Sequence, residues 1–227
     1  TALGKMQSNL TFNISNMLVN QWQNYIPQRI LEKGFKEWAN PAFLNGNIAK
    51  GKIELVGDLA DFPYDQPDVK GRFSMALEVE EVQLHYAPDW PDIVGVSGTI
   101  KGLGNKLVIE SKTGTIAGFQ FDDVTTTITR LMIDKPELRV KGLLKGTTEQ
   151  ALVFLKNSPL KERFSQAVES VMAKGESNIN LNLMVPLSDA YSTQVSGDVS
   201  FNNSELYDES LPEIKLTKIE GLLNFDG

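Results

Sequence analysis

Strict alternation of apolar and polar residues constrains this chain most. From Ser177 to Leu187 the sequence runs SNINLNLMVPL. Ile179, Leu181, Leu183, Val185 and Leu187 share one parity, and Asn178, Asn180 and Asn182 hold the other. Successive side chains of a strand point to opposite faces, whereas a helix returns to the same face every three or four residues. The run therefore fits a strand with one apolar and one wet face, and does not fit a helix. The same parity rule groups Met6, Leu10, Phe12 and Ile14; Ile53, Leu55 and Leu59; and Phe73, Met75, Leu77 and Val79. It also groups Val195, Val199 and Phe201, then Ile219, Leu223 and Phe225. Strands that are each half wet assemble as an antiparallel meander.

Three segments break the alternation with helical spacing. Residues 26–39 place Ile30, Leu31, Phe35 and Trp38 on one face, with Pro41 just past the end. Residues 148–156 open on TTEQ, where Thr147 and Gln150 have capping-box spacing. Residues 160–173 bring Phe164, Val168 and Val171 together and run toward Gly175 as a C-cap. Pro159 separates the last two, and the pair is expected to cover one end of the sheet. Two strand-like pieces echo each other, PDIVGVSGTIKGLG and PEIKLTKIEGLLNFDG, each following a tyrosine (Tyr86 and Tyr207). The echo predicts a strand module used more than once.

Charge and cysteine content narrow the function. A net charge of −7 from 22 basic and 29 acidic residues offers no basic surface for nucleic acid. It also disfavours attraction to anionic headgroups, so any membrane role must be apolar. Cysteine is absent, which removes disulfides, thiolate zinc sites and cysteine nucleophiles. No apolar run reaches the length of a bilayer-spanning helix. The chain opens within a strand-like pattern and stops at GLLNFDG, where a further strand starts, as expected of one segment cut from a longer protein.

Residues 84–102, LHYAPDWPDIVGVSGTIKG, hold the clearest candidates for chemistry. Asp89 and Asp92 resemble a carboxylate pair, but they flank Trp90 and Pro91 in a turn-forming sequence. His85 is the only histidine, and alternation places it on the wet face without a metal partner. Gly95, Gly98, Gly102 and Gly104 do not join a strand to a helix, as a phosphate loop must. Gly104-Asn105 instead predicts a tight hairpin turn. Asp58, Asp61, Asp65 and Asp68 offer carboxylates without calcium-loop spacing. Asn9-Leu-Thr11 and Asn13-Ile-Ser15 fit glycosylation triplets of the kind that occur by chance. No catalytic residue, metal or cofactor is expected.

What remains is apolar area. The chain is poor in aromatic residues, at 8%, and three short helices cannot cover so many strands. The stripes either close around a dry core, or line an open trough that holds acyl chains.

Five stretches stand in a specific order: GDLADFPY (57–64), GRFSMALEVEEVQLHYAPDWPDIVGVSG (71–98), LVIESKTGTIAG (107–118), ALVFLKNSPLKE (151–162) and NLNLMVPLSDAYSTQVSGDVSFNNSEL (180–206). Together they resemble the AsmA-like superfamily of bacterial envelope proteins, in particular its YhdP-type members. Their order covers most of the chain from about residue 25 onward. Family members are far longer and carry an N-terminal membrane helix that is not among these residues. The resemblance implies an elongated, curled antiparallel sheet with few helices, forming a hydrophobic groove in the periplasm of a Gram-negative bacterium. It further implies phospholipid transfer between inner and outer membranes, with neighbouring repeats of the same longer chain as partners. Parity within this sequence, not the resemblance, selects the expected groove lining: Ile53, Leu55, Phe73, Met75, Leu77, Val79, Ile179, Leu181, Leu183, Val195, Val199 and Phe201. The alternative is a structural or interaction module of the envelope with a closed, dry core.

Overall fold

A computed structural model describes residues 7–24, 33–62, 64, 68–131, 135–158, 161, 170–187, 192–208 and 211–226. Their alternating runs form eleven strands: β1 (Gln7–Leu18), β2 (Phe43–Asp58), β3 (Gly71–Leu84), β4 (Ile93–Leu103), β5 (Lys106–Ile116), β6 (Phe119–Phe121), β7 (Val124–Thr129), β8 (Glu137–Thr147), β9 (Val171–Pro186), β10 (Gln194–Asp208) and β11 (Leu211–Asp226). All belong to one sheet and pair antiparallel with chain neighbours, while β6 and β7 together fill the single lane between β5 and β8. β1 and β11 are the sheet's outermost strands. The meander and the fold class therefore follow the period-two pattern.

Bulges bend this sheet. Between β2 and β3 the register slips around Glu81, which has φ +52°. Gly46 lies opposite with φ +112°, and a Cβ there would sit 2.5 Å from the Val82 Cα. Between β9 and β10 the slip falls around Asn203, φ +49°, opposite Gly175 at φ +107°. A Cβ on Gly175 would again come within 2.5 Å, here of the Ser204 Cα. An extra residue on one strand increases twist, and glycine opposite lets the two backbones approach. The β2–β4 and β9–β11 units thus share one bulge device about 122 residues apart in sequence, read from Glu81 and Asn203. These are also the units in which the echoing pieces form the third strand.

Both α-helices and one 3₁₀ turn gather at one end of the strands, and a three-residue 3₁₀ turn (Leu59–Asp61) sits at the other. Helix α1 (Lys33–Ala42) precedes β2, a 3₁₀ turn (Val19–Asn24) follows β1, and helix α2 (Thr148–Lys156) joins β8 toward β9. The Thr147 hydroxyl accepts from the Gln150 amide while the Gln150 side chain accepts from the Thr147 amide, completing the expected capping box.

Four expectations need correction. α1 ends later than predicted and contains Pro41, because a proline in the last turn forfeits only one helical hydrogen bond there. Ile30 and Leu31 lie outside the described residues. The helix expected over 160–173 does not reach its end: Val171, Met172 and Ala173 open β9, paired with Asp208, Tyr207 and Leu206. Cross-strand pairing overrides their helical spacing, and Phe164 and Val168 lie outside the described residues. Gly175 is accordingly a bulge partner within β9, not a helix cap. Residues 221–226, GLLNFD, are the close of β11 and not the opening of another strand.

Candidate functional site

Directly opposed residues of an antiparallel pair lie on the same face, so the register traces each face across the sheet. One row runs Leu77–Ile100–Ile109–Thr126–Val140–Leu183–Val195 through seven strands. A second runs Phe12–Ile53–Met75–Gly102–Leu107–Ile128–Leu138–Val185. A third, Leu144–Ile179–Val199–Leu223, continues into β11. Leu55 faces Phe73, Val79 faces Ile48, Leu181 faces Gly142, and Phe201 faces Ser177. The twelve parity-selected residues therefore share one continuous apolar face.

Their exposure is uneven. Leu77 and Val79 are buried, and the other ten are half-buried. The buried pair belongs to a cluster with Met17, Val19, Ile48 and Val82; among the described residues no second sheet lies beneath it, and its cover is the 3₁₀ turn that carries Val19 and the buried Trp22. Farther along the face, Leu223 is 57% exposed. An antiparallel sheet normally packs its apolar face on another layer; among the described residues this face meets α1, α2 and the Val19–Asn24 turn at one end and, at the other, a short 3₁₀ turn (Leu59–Asp61) whose following residue Phe62 packs on Phe73 with ring centres 5.3 Å apart.

The opposite face is polar and internally paired. Lys101 bonds Glu110 at 2.8 Å and Thr99 donates to the same carboxylate, which together hold Glu110 below its ordinary acidity range. Lys112 pairs with Asp123 at 2.9 Å, which raises the ammonium's pKa. Asn180 donates to Asp198 and Asn182 to Ser196, so the asparagines between the apolar residues of β9 form a ladder to β10. Exposed pairs of this kind add little stability. Their consequence is that one face is wet by construction.

The strand-end loops decide which end is closed. His85 lies one residue beyond β3, and its amide extends the pairing by donating to the Ala42 carbonyl at 2.8 Å. Its ring Nδ1 stands 2.8 Å from the Asp92 carboxylate, to which Gln83 also donates. The His85 and Gln83 hydrogen bonds lower the Asp92 pKa. The histidine thus ties the end of β3 to the start of β4, a partner that alternation alone did not reveal. Asp89 occupies a left-handed turn position, φ +61°, as turn chemistry anticipates. The Trp38 indole donates to the Tyr86 carbonyl at 2.9 Å, and Trp90 packs against Tyr86 and Phe154 with ring centres 6.2 and 5.8 Å apart. Burial drives the Tyr86 pKa upward, with the Asp92 charge adding to it. Phe154 sits on α2, between β8 and β9, whereas Trp90 sits between β3 and β4. For these rings to touch, the sheet must curl so that the two loops meet across the intervening lanes.

Below α2 the Thr148 hydroxyl lies 2.9 Å from that of Ser204, a fully buried residue that also donates to the Glu176 carbonyl. Ser204 holds the bulge position that Val82 holds in the first unit, so α2 covers β9–β10 where the 3₁₀ turn covers β2–β3. Sequence reading missed the middle of the apolar face. Leu107 and Ile109 alternate clearly enough to be found, but VTTTIT in β7 and the glycines of β4 dilute the signal. Among the described residues no group of three or more metal-ligating side chains converges, and no helix is long and apolar enough to cross a membrane.

A single bent antiparallel sheet with one apolar and one wet face is the setting in which the chain's relatives become informative. A family described as YhdP protein matches residues 4–227, and the chain belongs to that family. The intermembrane phospholipid transporter YhdP of Escherichia coli (strain K12) is 20% identical over 206 residues, 91% of this chain. The chain spans 16% of that relative's length. No solved structure matches it.

Proposed function

We propose that the apolar face of this chain holds the acyl chains of phospholipid, as one segment of an intermembrane phospholipid transporter. The observation that carries the proposal is the apolar face that the three rows share from Phe12 on β1 to Leu223 on β11, half-exposed over most of its course. Apolar surface exposed on this scale favours association with another apolar body, at about 25 cal/mol per Å² removed from water. An acyl chain lying along the rows leaves its headgroup toward solvent, and the paired polar face stays wet. The name of the Escherichia coli relative supports phospholipid as the cargo. The work is binding and guidance, without bond-making chemistry. The setting in this proposal is the periplasm of a Gram-negative envelope, with neighbouring repeats of a longer chain extending the sheet and other parts reaching inner and outer membranes.

The lining in this proposal comprises the ten half-buried members of the parity-selected set, with Leu77 and Val79 serving as core beneath them, together with Ile100, Ile109, Leu107, Ile128, Leu138 and Val140 from the middle strands. The buried cluster around Leu77 favours the alternative of a dry core, but only at the helix-covered end. Lipid extraction and mass spectrometry of the gently purified chain distinguish the two. Phospholipid is expected with the unsubstituted chain and with the wet-face control Asn180→Asp. It is expected to be lost from Leu181→Asp/Leu183→Asp/Val199→Asp. As much phospholipid on the triple variant as on the unsubstituted chain would show the lining to be wrong.

A further inference from the structure

The strand ends opposite α1 and α2, where the 3₁₀ turn Leu59–Asp61 lies, carry an arrangement that neither the alternation nor the family explains. A recess of about 310 Å³ there is lined by Tyr64, Phe73 and Leu103 together with Arg72, Lys106 and Arg130. The three cations come from different lanes of the sheet: Arg72 from the start of β3, Lys106 from the start of β5, and Arg130 from just past β7. Two backbone hydrogen bonds bring them together. The Gly104 amide donates to the Phe73 carbonyl, and the Leu131 amide donates to the Asn105 carbonyl, each at 3.1 Å. The β4–β5 hairpin tip is thereby fastened to β3 on one side and to the segment after β7 on the other.

Three cations line this one recess of a chain of net charge −7. Arg72, Lys106 and Arg130 are exposed and form no ion pair among the described residues, while Lys52, Lys101, Lys112, Lys145 and Lys215 all do. Arg72 adds to the lowering of the Glu54 pKa, but the main cause there is Lys52, which holds that carboxylate at 2.9 Å. The Tyr64 hydroxyl is a second, independent sign: it is buried and has no hydrogen-bond partner among the described residues. Burial and the Asp58 and Asp61 charges raise its pKa, so it remains an O–H donor. Arg72 and Lys106 alternate with Phe73 and Leu107 and so leave from the wet side, at strand ends where the recess also takes in Phe73 at the edge of the apolar face. Three cations and a spare donor at that edge match one kind of ligand group. Guanidinium forks bind phosphate oxygens bidentately, and an ammonium adds a point charge.

We propose that this recess binds a phosphate group. The family-level cargo makes a phospholipid headgroup one source, with its acyl chains passing over Phe73 and Met75 onto the apolar face; that version rests on the proposed acyl binding. Free phosphate is the other source and does not rest on it.

Titration calorimetry of the chain with inorganic phosphate, with short-chain phosphatidylglycerol below its micelle concentration, and with a short-chain diacylglycerol separates these. The key variant is Arg72→Gln/Lys106→Gln/Arg130→Gln, whose exposed positions should leave thermal unfolding unchanged. Phosphatidylglycerol is expected to bind at least about tenfold more weakly to the triple variant, with an affinity in the unsubstituted chain that falls as salt rises. Diacylglycerol should bind both equally. Tyr64→Phe, which removes one donor, should weaken phosphatidylglycerol a few-fold. Phosphate binding lost in the triple variant, with no lipid bound by either chain, would keep the recess as a phosphate site and remove the acyl proposal. Phosphatidylglycerol bound equally by both chains would overturn the phosphate site and leave the acyl proposal standing, and no binding of phosphate or phosphatidylglycerol would also overturn the site.

Discussion

The β2–β4 and β9–β11 units are built alike and covered differently. Each has a glycine of φ near +110° facing a bulged residue of φ near +50°, and each sends alternating apolar residues to the same face. In the first unit Leu77, Val79 and Val82 are buried under the 3₁₀ turn that carries Val19 and Trp22. In the second the residues at matching positions are Val199, Phe201 and Ser204, of which only Ser204 is buried, against Thr148 of α2. Alternation fixes which face a side chain joins. Whether that side chain becomes core or stays available to a ligand depends on what the chain lays over the face.

The sharpest way to break this comparison is to place a charge in each unit. Leu77→Asp buries an unpaired carboxylate and should cost roughly 3–5 kcal/mol. Leu181→Asp, on a half-buried position, should cost roughly 1 kcal/mol while removing bound lipid. Thermal or denaturant unfolding of the two variants checks the difference, and equal losses would mean that the second unit is as well covered as the first.

The bulges supply the next test. Gly46→Ala and Gly175→Ala each force a Cβ into a backbone 2.5 Å away at a φ that disfavours side chains. Each should cost about 2 kcal/mol, by similar amounts if the two bulges are equivalent. A near-neutral result at one of them, by the same unfolding measurement, would end the equivalence. The smallest effect belongs to the cover itself. Thr147→Ala removes the hydroxyl of the capping box and should cost about 1 kcal/mol. Hydrogen exchange should rise in α2 and at Ala173 to Ser177, leaving β2–β3 protected as before.

Much of this was legible in the sequence, for a physical reason. A period of two has only two phases, so Ile179, Leu181 and Leu183 declare their face without knowledge of their neighbours. The register then joins them to Phe73 and Leu77 through strands whose own pattern is weak, since Thr126 and Gly102 occupy places in the apolar rows. Helix limits were less legible. Val171 has the spacing of a helix and the partners of a strand, and partners lie far away in sequence. The pairing of His85 with Asp92 and the gathering of Arg72, Lys106 and Arg130 depend on which loops meet, which local spacing does not encode. The bulges were hidden for the same reason, because Gly175 shows its role only opposite Ser204.

The most direct test of the central claim reads the alternation in the presence of lipid. A photo-crosslinking amino acid is placed in turn at positions 180, 181, 182 and 183 of β9, and the chain is irradiated with phospholipid. Adducts are expected from positions 181 and 183 and almost none from 180 and 182, since only the odd pair faces the apolar rows. Equal yields at all four positions, or adducts from 180 and 182, would contradict an apolar face that holds acyl chains.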